Sequence, residues 1–178
     1  MWGNIDFEKT SAYNVNNVQS ELERLFCMKW KYHLFDDTGK EHGSKLRTYR
    51  LFKETFEYED YLDEIKDDDI KKNIIKSRIG TSNLMIEKGR HTRPKKTPLN
   101  ERLCHFCNAL EDEEHVLTDC KKFEIYRSIM FDEIKHFNRE FCELDKRNKF
   151  LIIMKMKDIP KPPIIKYIRS IIKERGQF

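Results

Sequence analysis

Three of the chain's five cysteines, Cys104, Cys107 and Cys120, fall within seventeen residues, and His115 stands between the second and third. This C-x2-C-x7-H-x4-C spacing constrains the fold more than any other feature. A C-x2-C turn points two thiolates at one centre, and the seven-residue loop returns an imidazole and a third thiolate to it. Four donors of that softness suit one tetrahedral zinc ion. Because protein fills all four positions, the expected ion is a single structural Zn2+ and not a catalytic one with an open site. The competing reading is a chance grouping of ordinary buried cysteines. His105 lies inside the C-x2-C turn, points outward from it and is not counted as a ligand. Cys27 and Cys142 sit in apolar neighbourhoods and read as core residues. An odd cysteine count with a tight Cys/His group indicates metal binding in a reducing, intracellular compartment, nuclear or cytoplasmic, in preference to a disulfide framework.

A chain of 178 residues is long enough to bury a core. Charged residues make up 37% and hydrophobic ones 38%, with only six glycines and five prolines, which favours a mainly α fold: a small helical domain carrying one CCHC module. No apolar stretch approaches the length of a membrane span, and the N-terminus lacks the basic and apolar segments of a signal peptide, so no membrane association is expected. Net charge is +4, unevenly spread. From Glu54 to Asp69 nine acidic residues face one lysine, whereas from Lys88 to Arg102 six basic residues face one glutamate. Basic surface is therefore expected on either side of the metal site.

Helical spacing of Val18, Leu22, Leu25, Phe26 and Trp30 predicts an amphipathic helix over 15–35, ended by Asp36-Asp37-Thr38-Gly39. A second helix is expected from Ser44, as N-cap, to Phe52, and a short third around Tyr58, Tyr61, Leu62 and Ile65. Asp67-Asp68-Asp69 precedes Ile70, Ile74, Ile75 and Ile79, and Gly80 closes that helix. Leu84 and Ile86 alternate as in a short strand or extended arm, and 88–100 reads as a basic loop stiffened by Pro94 and Pro98. Beyond Glu113 one helix is expected to run past Cys120 through Phe123, Tyr126, Met130, Ile134 and Phe137. After Phe150 to Met156, the three prolines at 160, 162 and 163 interrupt the chain. Ile164, Ile165, Ile168, Ile171 and Ile172 then mark a closing helix. These elements group as a helical region (1–87), a basic arm with the CCHC module and its following helix (88–138), and a helical tail (139–178).

Lys45-Leu46-Arg47-Thr48-Tyr49-Arg50-Leu51-Phe52, Ser77-Arg78, Leu84-Met85-Ile86-Glu87-Lys88-Gly89-Arg90-His91 and Arg102-Leu103-Cys104-x-x-Cys107 follow one another in order. With Glu111-Asp112-Glu113-Glu114-His115-Val116-Leu117 and Cys120, they resemble the zinc-binding domain at the C-terminal end of non-LTR retrotransposon reverse transcriptases. The resemblance covers about residues 43–135. It implies that Cys104, Cys107, His115 and Cys120 hold the metal, that Arg90-His91 belongs to a basic arm, and that the chain is the tail of a longer element or a gene derived from one. The polymerase is not in this chain: Tyr58-Glu59-Asp60-Tyr61 departs from Tyr-x-Asp-Asp, so no catalytic activity is expected.

Arg90, His91, Arg93, Lys95, Lys96 and Arg102 are the candidate contacts to RNA or DNA, since phosphate neutralisation needs several cations held together. The alternative is a solubilising loop. Phe106 and His91 could stack on bases, although Phe106 fits better packed against the module's own helix. Glu111 to Glu114 would repel phosphate, so this acidic run either faces away or pairs with basic groups. Asp67 to Asp69 could imitate a two-metal nuclease, but successive carboxylates on a helix diverge, and a helix start is the better reading. The sequence therefore predicts a non-catalytic nucleic-acid-binding accessory module. The alternative is a zinc-stabilised scaffold whose acidic face, Glu54 to Asp69, or C-terminal isoleucine helix meets a protein partner.

Overall fold

The computed structural model describes residues 15–35, 46–157 and 159–176. The chain divides into two compact units, Met1–Ser44 and Lys45–Phe178. The first contains α1 (Val15–Phe35). Its Val18, Leu22, Leu25 and Phe26, expected as a buried stripe, are each about half exposed or more, whereas Leu34 is buried. The turn assigned to 36–39 and the N-cap assigned to Ser44 lie outside the described residues.

The second unit holds α2 (Tyr61–Glu64), α3 (Asp68–Ile79), α4 (Met85–His91), α5 (Glu113–Thr118), α6 (Glu124–Lys135), α7 (Lys146–Lys155) and α8 (Lys161–Arg175). The mainly α expectation holds, and an isolated antiparallel bridge, Leu103 to Leu110, is the β pairing seen among the described residues. The divisions drawn at 87/88 and 138/139 fall inside this one unit, and the first of them cuts α4.

Capping explains where the helices begin. The Asp67 carboxylate accepts the Ile70 N–H at 3.0 Å, Asp112 accepts that of His115 at 2.8 Å, and Asp145 accepts that of Asn148 at 2.9 Å. Each satisfies an amide that the first helical turn leaves without a partner. Asp67 to Asp69 is thus a helix start, as expected, and Asp67→Ala should lower the urea midpoint, while Asp69→Asn should leave it nearly unchanged. Gly80 ends α3 in the left-handed conformation (φ +76°) that glycine adopts without strain.

α8 carries Pro162 and Pro163 in its first turn, where missing amide donors cost least. It buries Ile164, Tyr167, Ile168 and Ile171 against α6 and α3, with α5 packed on α7. Ile164, Ile168 and Ile171 of the stripe are therefore core, and Ile165 and Ile172 pack against it partly buried.

Other expectations are corrected. Residues 46–52 form a turn and a short 3-10 segment, Tyr49–Leu51, not a helix, and Met85–His91 is helix where a strand or arm leading into a loop was expected. The helix after Glu113 is broken in two: α5 stops at Thr118, and Cys120 with Lys121–Phe123 makes a separate turn before α6. That break lets Cys120 leave the helical path and face the other ligands. Cys142 is exposed and Cys27 only partly buried, so neither is a core residue as predicted.

Candidate metal centre

The C-x2-C turn is closed by amides of Cys107 and Asn108, which donate to the Cys104 carbonyl at 3.3 and 2.9 Å. Asn108 takes a left-handed conformation (φ +53°), which asparagine tolerates better than most residues. The Cys104 amide donates to Ala109 O at 2.7 Å, so a narrow hairpin turn presents both sulfurs on one side. α5 supplies His115 from its first turns, and Cys120 follows just beyond its end. The Cys120 and Asp119 amides both donate back to the His115 carbonyl, at 2.8 and 2.9 Å.

One ligand atom from each of Cys104, Cys107, His115 and Cys120 lies within 4.8 Å of every other. Cys120 Sγ is 3.8 Å from both Cys104 Sγ and Cys107 Sγ. Thiolates at about 2.3 Å from a tetrahedral ion would be separated by about 3.8 Å, so the sulfurs already stand at coordination spacing. Both ring nitrogens of His115 are buried without a hydrogen-bond partner, a costly state for an imidazole unless a metal takes one of them. The four predicted ligands are thus brought together, and they fit a metal ion. His105 is exposed and outside the group, as expected.

The surroundings suit bound thiolate and neutral imidazole. The Lys121 amide donates to Cys107 Sγ at 3.2 Å. Burial holds the His115 imidazole below its usual range, but it also pushes the Cys120 thiol up to about 12, so its thiolate forms only when a cation displaces the proton. The Asp119 carboxylate stands 3.9 Å from His115 Nδ1 and accepts from Lys146 Nζ at 3.0 Å, a placement from which it can orient the ring. Arg127 Nη1 donates to the Cys120 carbonyl at 2.7 Å, and the Tyr167 hydroxyl donates to that of Val116 at 2.7 Å. α6 and α8 are tied in this way to the segment that carries two ligands. The His115 and Asp119 spacing of four is a helical contact spacing and could have disclosed Asp119 in the sequence. Nothing local marks Arg127 or Tyr167.

The acidic run beside the centre is mostly internal. Glu113 is buried, and its carboxylate accepts from Arg47 Nη2 at 2.6 Å, Thr48 Oγ1 at 3.3 Å and the Ser82 hydroxyl. Burial pushes this carboxyl up, with Arg47 and then Ser82 pulling against it. Glu111 pairs with Arg175 and caps the Met85 amide; Glu114 pairs with Arg147. The pairing alternative is the one observed. No other group of three or more potential ligands occurs among the described residues, so Asp67 to Asp69 do not gather around an ion.

The predicted contact residues separate into two kinds. Arg102 is buried and donates to Thr97 O at 2.9 Å and Ile86 O at 2.9 Å, crossing Gly89, where a Cβ would meet its side chain at 2.7 Å. It pins the arm onto α4 and offers no charge to a ligand, a correction to its expected role. Arg90 is half-buried against Glu87, which also holds the otherwise exposed His91. Arg93, Lys95 and Lys96 are exposed, with no carboxylate partner among the described residues. The Thr97 amide donates to Gly89 O at 2.9 Å, closing the arm into a loop that projects these three. Phe106 is 50% exposed with Lys122 Nζ 5.4 Å from its ring, so it does not pack into the module as predicted.

No family model, no curated protein and no solved structure matches this chain. Among the described residues no helix is long and apolar enough to cross a membrane.

Proposed function

We propose that this chain is a non-catalytic nucleic-acid-binding accessory module organised around one structural zinc, derived from the C-terminal part of a reverse-transcriptase-like polyprotein of a non-LTR retroelement. The closed Cys104, Cys107, His115 and Cys120 quartet carries the reading. Three sulfurs and one nitrogen within 4.8 Å of one another suit Zn2+, and a site they fill leaves no position for a substrate water. Cys104 and Cys107 on one turn, with His115 on α5 and Cys120 just beyond it, would hold the ion, which would cross-link the two segments.

The retroelement reading rests on the sequence resemblance over about residues 43–135, whose residues fold together in one unit: Arg47 on Glu113, Arg78 over the Phe52 ring, and Arg102 across Gly89. Nucleic-acid contact is supported by the three unpaired cations of a loop that Arg102 and Thr97 hold in place. The test is fluorescence anisotropy with RNA and DNA oligonucleotides between 50 and 200 mM salt. Replacing Arg93, Lys95 and Lys96 together by alanine should weaken binding alike for unrelated sequences and reduce the slope of log affinity against log salt by about 2. Metal content should be unchanged. An unaltered slope would place the contact elsewhere, and absence of binding by the unaltered protein would favour the scaffold reading, which draws its support from the exposed apolar residues of α1.

A further inference from the structure

Between the end of α3 and one side of α4 lies an open hollow of about 410 Å³, a size in the range of small-ligand sites. Lys76 reaches it from α3, Thr81 and Asn83 from the connecting turn, and Lys88 from α4. Its one acid, Glu87, is already shared by Arg90 at 3.2 Å and His91 at 3.1 Å. Neither lysine has a carboxylate partner among the described residues, and the Thr81 hydroxyl and Asn83 amide likewise make no side-chain hydrogen bond there. Several other cations of this unit do pair with carboxylates: Lys53 and Arg78 with Glu59, Lys155 with Glu54, Lys161 with Glu64, Lys166 with Glu133. Two uncompensated ammonium groups in one concavity, with neutral donors between them, match an anion that presents several acceptor oxygens. The wall of the hollow runs through Thr92 into the arm that projects Arg93, Lys95 and Lys96.

We infer that this hollow seats a phosphate of the nucleic-acid backbone, extending the arm's contact along α4 to the end of α3. The inference rests on the nucleic-acid reading above and adds Lys76 and Lys88 to it as contact residues. A nucleic acid fits better than a lipid surface, because none of the residues lining the hollow is a large apolar side chain that could insert.

The test compares the unaltered protein, Lys76→Ala with Lys88→Ala, and the arm triple variant on a mixed-sequence 20-nucleotide single strand, across the same salt range. Loss of the seated phosphate should reduce the slope by about 0.7 and weaken binding severalfold near 100 mM salt. Metal content and melting should not change, because neither lysine pairs within the fold, and the double arginine replacement at 76 and 88 should restore affinity. If the lysine double variant keeps the full slope while the arm triple variant loses affinity, the hollow is not a contact and the nucleic-acid reading stands. If the unaltered protein does not bind, both fall. Binding to phosphatidylserine vesicles in preference to the oligonucleotide, lost in the same double variant, would assign the hollow to a lipid headgroup and overturn the inference.

Discussion

Chelation of the metal at neutral pH is expected to unfold the segment from Arg102 to Arg127 and to lower the melting temperature of the whole second unit by at least about 10 °C. The reason is local. α5 has six residues, too few to persist alone in water, and the C-x2-C hairpin rests on one isolated bridge. Metal binding in comparable small sites contributes on the order of 10 kcal/mol, and it joins these two weak elements. The effect spreads because Val116, Leu117, Cys120 and Phe123 belong to the core, and Arg127 and Tyr167 bond to backbone carbonyls of the same segment. Cys120→Ser should reproduce chelation, whereas Cys142→Ser, at an exposed position, should change nothing.

Acid should act in the same direction. Without a cation the buried Cys120 thiol stays protonated, so binding a metal must displace its proton. Metal-linked stability is therefore present at neutral pH and lost progressively as pH falls. Circular dichroism melts with matched metal analysis would record both effects, and a melt indifferent to chelator would contradict them.

The second large effect is at Glu113. Glu113→Ala leaves Arg47, Thr48 and Ser82 pointing at a vacated site in which the carboxylate was 2% exposed. Breaking a buried ionic network on one side costs about 3 to 5 kcal/mol, and Glu113→Gln, which keeps shape and hydroxyl contacts, should cost less. Urea unfolding would measure both, and a loss under 1 kcal/mol for the alanine variant would mean that the network does not hold the 46–52 turn to α5.

The ligands, the helix start at Asp67, the Gly80 stop and the isoleucine face of α8 were legible because each depends on residues a few positions apart. Which of the two readings of the acidic run at 111–114 holds was not legible, because the partners of Glu113 and Glu111 lie 66 and 64 residues away, at Arg47 and Arg175. Arg102 looked like one more cation of the arm, and only the folded path brings it across Gly89 to the Ile86 carbonyl. The helix expected through Cys120 failed for a related reason. Periodicity continues from Val116 to Ile134, but the requirement that Cys120 meet Cys104 and Cys107 overrides it.

The most direct test of the closed centre is X-ray absorption at the zinc edge on protein purified without added metal, with elemental analysis on the same sample. One zinc per chain, with three sulfurs at about 2.3 Å and one nitrogen at about 2.0 Å and no oxygen ligand, is the predicted result. A chain without zinc, or a zinc with a bound oxygen in place of one of the four side chains, would contradict it.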